Sequence, residues 1–192
     1  MLSTKVVNIA LVLGKDTAET MCNLLKRVIQ IKRETTMPDL DSILILADGG
    51  GANIANGVAW TDQLLNLTTE TNITAHVCHF CPGSSKHNPI EHCLFSYVSI
   101  HWKGKPLLDI EHVCRYTNET TTRKGLKVTC WFDSKRYVTN TEKKMMGEKV
   151  LTRAQLNKKA KGRITHPFAS DTDMYKWNYT VKAHADDESL VA

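Results

Sequence analysis

The apolar run Ser-Ile-Leu-Ile-Leu-Ala at residues 42–47 stops at Asp48 and three consecutive glycines. An unbroken apolar run of that length predicts a buried strand. The glycines after it let the backbone approach a ligand closely. A helix is expected over roughly 54–68, capped by Asn53, with Ala55, Val58, Ala59, Leu64, Leu65 and Leu67 toward the core. The same alternation holds on both sides. Residues 5–13 predict a buried strand, and Asp16-Thr17 opens a helix over 17–33 with Glu19 in its first turn. Asn72 to Phe80 reads as a strand with Ile73, Ala75, Val77 and His79 at alternate positions, ended by Pro82-Gly83. A helix from Asn88 through Ile100 would carry Ile90, Leu94, Phe95, Val98 and Ile100 on its apolar face, and residues 107–113 predict another short helix. Farther on, 126–133 alternates as a strand, 143–149 is weakly amphipathic, 152–159 suits a short basic helix and 173–181 ends as a strand. Such a pattern gives an α/β layered domain with short connections. Parallel sheets of that class place functional groups at the carboxyl ends of their strands, where Asp48 stands.

Charge narrows the choice of partners. The net charge is +5. Residues 102–166 alone hold 16 Lys/Arg against 6 Asp/Glu. A basic second half suits a polyanion, so Lys/Arg between 103 and 163 are candidates for nucleic-acid contact. No stretch approaches the length of a membrane span. The N-terminus reads as a buried strand in preference to a signal peptide, which makes the cytoplasm the expected location. Six cysteines without a secretory signal predict reduced thiols. Cys78 and Cys81 have the spacing of a zinc half-site, but no second pair follows to complete one.

Asp48 and Glu91 are the candidate catalytic and metal-binding residues. Magnesium and manganese prefer carboxylate oxygens, water and substrate phosphate. Two such ions can clamp the attacking and leaving oxygens of a phosphoryl transfer. Asp48 is short and fixed at a strand end. Glu91 lies at the start of a helix, where the dipole favours negative charge. Simpler readings stand beside these, since Asp initiates turns before glycine and Glu is common in a first helical turn. The glycine run fits neither a P-loop nor a dinucleotide fingerprint. Ser84, Ser85, Lys86, His87 and Asn88 are placed to contact phosphate oxygens.

Several motifs in register carry a resemblance. Asp48-Gly49-Gly50-Gly51-Ala52-Asn53 and His79-Phe80-Cys81-Pro82-Gly83-Ser84-Ser85-Lys86-His87-Asn88-Pro89-Ile90-Glu91-His92 resemble the Asp-Gly-Gly-Gly-Ser-Asn and His-Phe-Pro-Pro-Gly-Thr-Ser-Lys-Trp-Asn-x-Ile-Glu-His motifs of DDE-class insertion-sequence transposases. His101-Trp102-Lys103-Gly104-Lys105-Pro106-Leu107, Thr120-Thr121-Thr122, Gly125-Leu126-Lys127-Val128 and Trp177-Asn178-Tyr179-Thr180 continue the likeness, which covers roughly residues 5–182. Ala52, Cys81 and His87 depart from it.

The resemblance implies an α/β, RNase H-like three-layer fold, N-terminally truncated, with an irregular basic C-terminal extension. The expected divisions are a partial core at 1–116, the extension at 117–182 and a disordered tail at 183–192. It implies DNA cutting and joining with Mg²⁺ or Mn²⁺, Asp48 as second catalytic aspartate and Glu91 as final glutamate. DNA-contact candidates are Lys86, His87, Asn88, Lys103, Lys105, Arg123 and Lys124. The expected partners are DNA element ends and target, with no membrane and with homo-oligomers in intact relatives. The strand at 5–13 aligns with the family's third strand, so the first catalytic aspartate is expected to be missing and this chain alone to be inactive. Asp16 is set aside as a substitute because it matches a helix start. The alternative is an inactive DNA-binding or regulatory remnant.

Overall fold

The computed structural model describes residues 6–81, 88, 90–167 and 177–185, apart from the Glu91 side chain. In chain order the elements are β1 (Val6–Gly14), α1 (Ala18–Thr35), β2 (Ser42–Ala47), α2 (Val58–Thr71) and β3 (Thr74–His79). A π-helical turn, Glu91–Phe95, then runs into α3 (Ser96–Trp102). After it come α4 (Ile110–Asn118), β4 (Lys127–Tyr137), α5 (Asn140–Met145), α6 (Arg153–Lys159), β5 (Ile164–Thr165) and β6 (Asn178–Val181). The chain forms two compact units, residues 15–82 with 137–192 and residues 1–14 with 83–136.

The larger unit is a mixed four-stranded sheet of order β2-β3-β6-β5 with helices packed on it. Strand β2 runs parallel to β3, from Ser42 beside Thr74 to Ala47 beside His79. Strand β6 is antiparallel to both β3 and β5. Ile73, Ala75, Val77 and His79 are all buried, so the expected alternation holds. Ile73 and Val77 meet Leu64 and Leu65 of α2, Leu156 of α6 and Val181 of β6 in one apolar core. Ion pairs of Lys26 with Glu70 and Lys143 with Glu19 tie α2 and α5 to α1, and Lys159 with Asp62 ties α6 to α2.

Helix α2 starts at Val58, later than expected, and Asn53 does not cap it. Two tight turns occupy the intervening chain, with Asn53 N donating to Gly50 O at 3.0 Å and Gly57 N to Ile54 O at 2.8 Å. Gly57 takes the cap position because a Cβ there would meet Ile54 O at 2.9 Å. Asn72, expected in the next strand, ends α2 instead with φ of 49°.

The smaller unit pairs β1 with β4 in its own two-stranded sheet. No residue of β1 is fully buried, against the expectation of a buried strand. The reason is its surroundings: it has one strand neighbour, and Val7 and Ile9 pack on a small cluster of Leu94, Val98, Leu126 and Val128. The helix expected from Asn88 opens as a π-turn. Five-residue hydrogen bonding turns successive side chains by a smaller angle than an α-helix does. Leu94 and Val98 reach the core, while Ile90, Phe95 and Ile100 are exposed. Helix α4 begins at Ile110, not 107, because Asp109 caps it by accepting from His112 N at 2.8 Å. The end of the expected tail, 186–192, lies outside the described residues. No helix among the described residues is long and apolar enough to cross a membrane.

Candidate metal and nucleic-acid site

Asp48 stands immediately beyond the carboxyl end of β2 in the larger unit, exposed. Phe80 N donates to Ala47 O at 2.7 Å and keeps the ends of β2 and β3 together beneath it. Gly50 N donates to Asp48 Oδ1 at 3.0 Å, folding the carboxylate onto its own loop. The three glycines serve different ends. Gly49 has φ of 75°, which disfavours a side chain. A Cβ on Gly50 would meet Asp48 Oδ1 at 3.2 Å, whereas one on Gly51 would have no neighbour within 4 Å.

Asp16, set aside from the sequence, lies within electrostatic reach of Asp48. Its carboxyl is raised above the usual range, first by burial and second by the Asp48 charge. The sequence singled out Asp16 as a substitute carboxylate and set it aside as a helix start; in the structure it does stand just before α1, whose N-cap is Thr17. Asp16, Gly51, Ala52, Gly57, Lys143 and Lys149 line a cleft of about 460 Å³.

His79, at the end of β3, is buried and shifted downward by burial, while the Asp48 charge pulls the other way. The Tyr179 hydroxyl accepts from Trp60 Nε1 at 2.8 Å and lies 3.1 Å from His79 Nε2. Since the indole can only donate, the hydroxyl proton is free to point at the imidazole. The imidazole tautomer sets which of the two donates, and His79 Nδ1 has no hydrogen-bond partner among the described residues. The pattern of apolar residues showed His79 as a core position but gave no sign of this chain of polar contacts.

Glu91 opens the π-helical turn of the smaller unit, and its side chain lies outside the described residues. Among the described residues, no three His, Cys, Asp or Glu side chains gather as a metal cluster. Of the contact candidates, Lys86 and His87 also lie outside the described residues. Asn88 accepts from Ile90 N at 3.2 Å, a local cap at the helix start. Lys105 is held 2.8 Å from His101 Nε2 and 3.5 Å from Glu119, with its ammonium over the Tyr116 ring. Lys103, Arg123 and Lys124 are exposed in the same unit.

Much of the basic charge beyond 137 is spent on structure. Lys143 pairs with Glu19, and Lys159 reaches Asp62 and Asn66. Arg153 bonds Asn56, while Arg163 spans Lys182 O, Leu65 O and the Thr68 and Thr69 hydroxyls. These pairings join α1 and α2 to the later chain, so the local excess counted in the sequence overstates the charge available to a polyanion.

A family model described as the Rhodopirellula transposase DDE domain matches residues 3–183. No curated protein and no solved structure matches the chain.

Proposed function

The chain belongs to the DDE transposase-domain family, and on that premise we propose that it is part of a transposase catalytic core of RNase H-like, three-layer fold. Its reaction would be divalent-metal-dependent phosphoryl transfer that cuts and joins DNA. Asp48 and Glu91 would be the metal ligands. The observation that carries this reading is Asp48, an exposed carboxylate fixed at a strand end by Gly50 N.

The donor set fits magnesium or manganese. Both are hard ions that bind carboxylate oxygen, and the Asp48 side chain is exposed at the loop. With Oδ1 engaged by Gly50 N, Oδ2 would be the oxygen offered to an ion. A bound divalent ion would neutralise phosphate charge and lower the pKa of the attacking water or hydroxyl. The protein's own part is to hold the carboxylate in place before the ion arrives. Lys103, Arg123 and Lys124 would hold DNA by its backbone, without reading sequence.

Manganese binding tests the assignment. The expected result is saturable binding that falls at least about tenfold in Asp48→Asn and in Glu91→Gln, with unchanged circular dichroism. Equal binding by wild type and both variants would remove these residues from the site. The second reading, a DNA-binding remnant without catalysis, is favoured by the exposed Lys103, Arg123 and Lys124. Salt-sensitive DNA binding with no manganese binding would select it.

A further inference from the structure

We propose that Cys114 and Cys130 form a reversible oxidation site, a dithiol that hydrogen peroxide converts to a disulfide joining α4 to β4. The two sulfurs lie 3.8 Å apart, in van der Waals contact. A disulfide needs about 2.05 Å, so closure asks for roughly 1.8 Å of sulfur movement, within reach of side-chain rotation. The backbone between them is already fixed. Asn118 of α4 donates to Cys130 O at 3.0 Å and accepts from Cys130 N at 2.7 Å. Those two bonds clamp helix to strand at the level of the thiols.

The chemistry assigns each sulfur a role. Cys114 is half-buried and is the one an oxidant reaches; Cys130 is buried. Burial and the neighbouring Cys114 push the Cys130 thiol up to about 12, so it is a poor first nucleophile. The Cys114 thiolate attacks one oxygen of the peroxide, becomes a sulfenic acid and releases hydroxide. The Cys130 sulfur then attacks the sulfenic sulfur. Its proton and the sulfenic hydroxyl leave together as water. Overall, two thiols and one hydrogen peroxide give one disulfide and two waters. A dithiol reductant reverses the step by exchange.

The closed segment contains Arg123 and Lys124, so oxidation would restrict the loop that carries two exposed cations. Cys22 is buried in the larger unit, and Cys81 and Cys93 are exposed. Contact geometry therefore predicts a pairing that exposure alone would not.

The test uses the full reduced chain. After brief peroxide treatment, free thiols are alkylated and the protein is digested without reduction for mass spectrometry. The Cys114–Cys130 crosslinked peptide is expected to exceed every other pairing at least about tenfold, and dithiothreitol to abolish it. The oxidised chain should melt several degrees higher, because the crosslink closes a short loop of the unfolded state. Cys114→Ser should remove the crosslink and leave the melting temperature insensitive to peroxide. A Cys81→Ser/Cys93→Ser chain should form it in undiminished yield, a result that does not depend on how Cys114→Ser folds. Recovery of Cys114 and Cys130 both alkylated, or a dominant crosslink through Cys81 or Cys93, would overturn the proposal.

Discussion

Asp48 owes its position to two neighbours of opposite kind: a strand that fixes its Cα and a glycine whose N–H fixes its carboxylate. The second dependence is open to a clean test. Gly50 has no left-handed φ, so alanine is compatible with its backbone, yet its Cβ would meet Asp48 Oδ1 at 3.2 Å. Gly50→Ala is expected to weaken manganese binding several-fold while Gly51→Ala, with open space around it, leaves binding unchanged; isothermal titration distinguishes the two. Equal effects at both positions would show that the glycines act only as flexible chain. The Asp16 carboxyl gives a second readout. Its folded pKa is raised, so the native state holds a proton that the unfolded state has released between the ordinary value of 3.8 and the raised value. Stability therefore falls as pH rises through that window. In Asp48→Asn the Asp16 carboxyl should titrate lower by carbon-detected NMR, without returning fully to 3.8, because burial is the larger cause. Asp48 was legible as a candidate because strand, acid and glycine are adjacent in sequence. Asp16 was legible too, as a substitute carboxylate set aside for its place at a helix start; that the Asp48 charge acts on it depends on where α1 begins relative to β2.

At the scale of elements, short polar networks decide where helices start and what they hold. Helix α5 is only six residues long and has no buried residue, so its cap matters more than its packing. Thr139 accepts from Glu142 N, and Glu142 accepts from Thr139 N at 2.7 Å and from its hydroxyl at 2.8 Å. Those bonds, with Lys15 beyond them, hold the Glu142 carboxyl down at about 2. A depressed carboxyl contributes stability above its unfolded pKa of 4.5 that is lost as pH falls toward 2. Thr139→Ala should cost about 1 kcal/mol in urea melts at pH 7, with the difference from wild type shrinking as the pH drops below 4.5. Within the core, Tyr179→Phe would leave Trp60 Nε1 and His79 Nε2 without their shared hydroxyl. Loss of about 1–3 kcal/mol is expected for those two buried groups, whereas a change near zero would mean that the three side chains merely touch. The sequence placed the strand at 42–47 correctly but not its burial: β2 lies at the edge of the sheet, with Leu44 and Leu46 exposed, because an apolar run specifies a strand without specifying how many of its faces are covered. It missed the start of α2 and the face of the helix after Asn88, where paired turns and a π-turn break the 3.6-residue period on which such readings depend.

For the whole molecule, the charge count and the charge distribution say different things. The +5 net charge suits a polyanion partner, but Lys143, Lys159, Arg153 and Arg163 bind elements of the larger unit to one another. DNA affinity is thus expected to depend on Lys103, Arg123 and Lys124 more than on the equally basic residues after 137. Replacing those three by glutamine should reduce the slope of log affinity against log salt by about 2–3, measured by fluorescence anisotropy on duplex DNA. An unchanged slope would place the DNA elsewhere. The general α/β architecture was legible because strand and helix periods alternate clearly through residue 79. The separation of β1 from the β2–β3 sheet was not, since an apolar run specifies a strand without specifying its neighbour. The central claim concerns Asp48 and Glu91 as metal ligands, and manganese titration of the 192-residue chain, followed by water-proton relaxation, tests it most directly. Saturable binding weakened at least about tenfold by Asp48→Asn and by Glu91→Gln is predicted; binding unaffected by either substitution would contradict it.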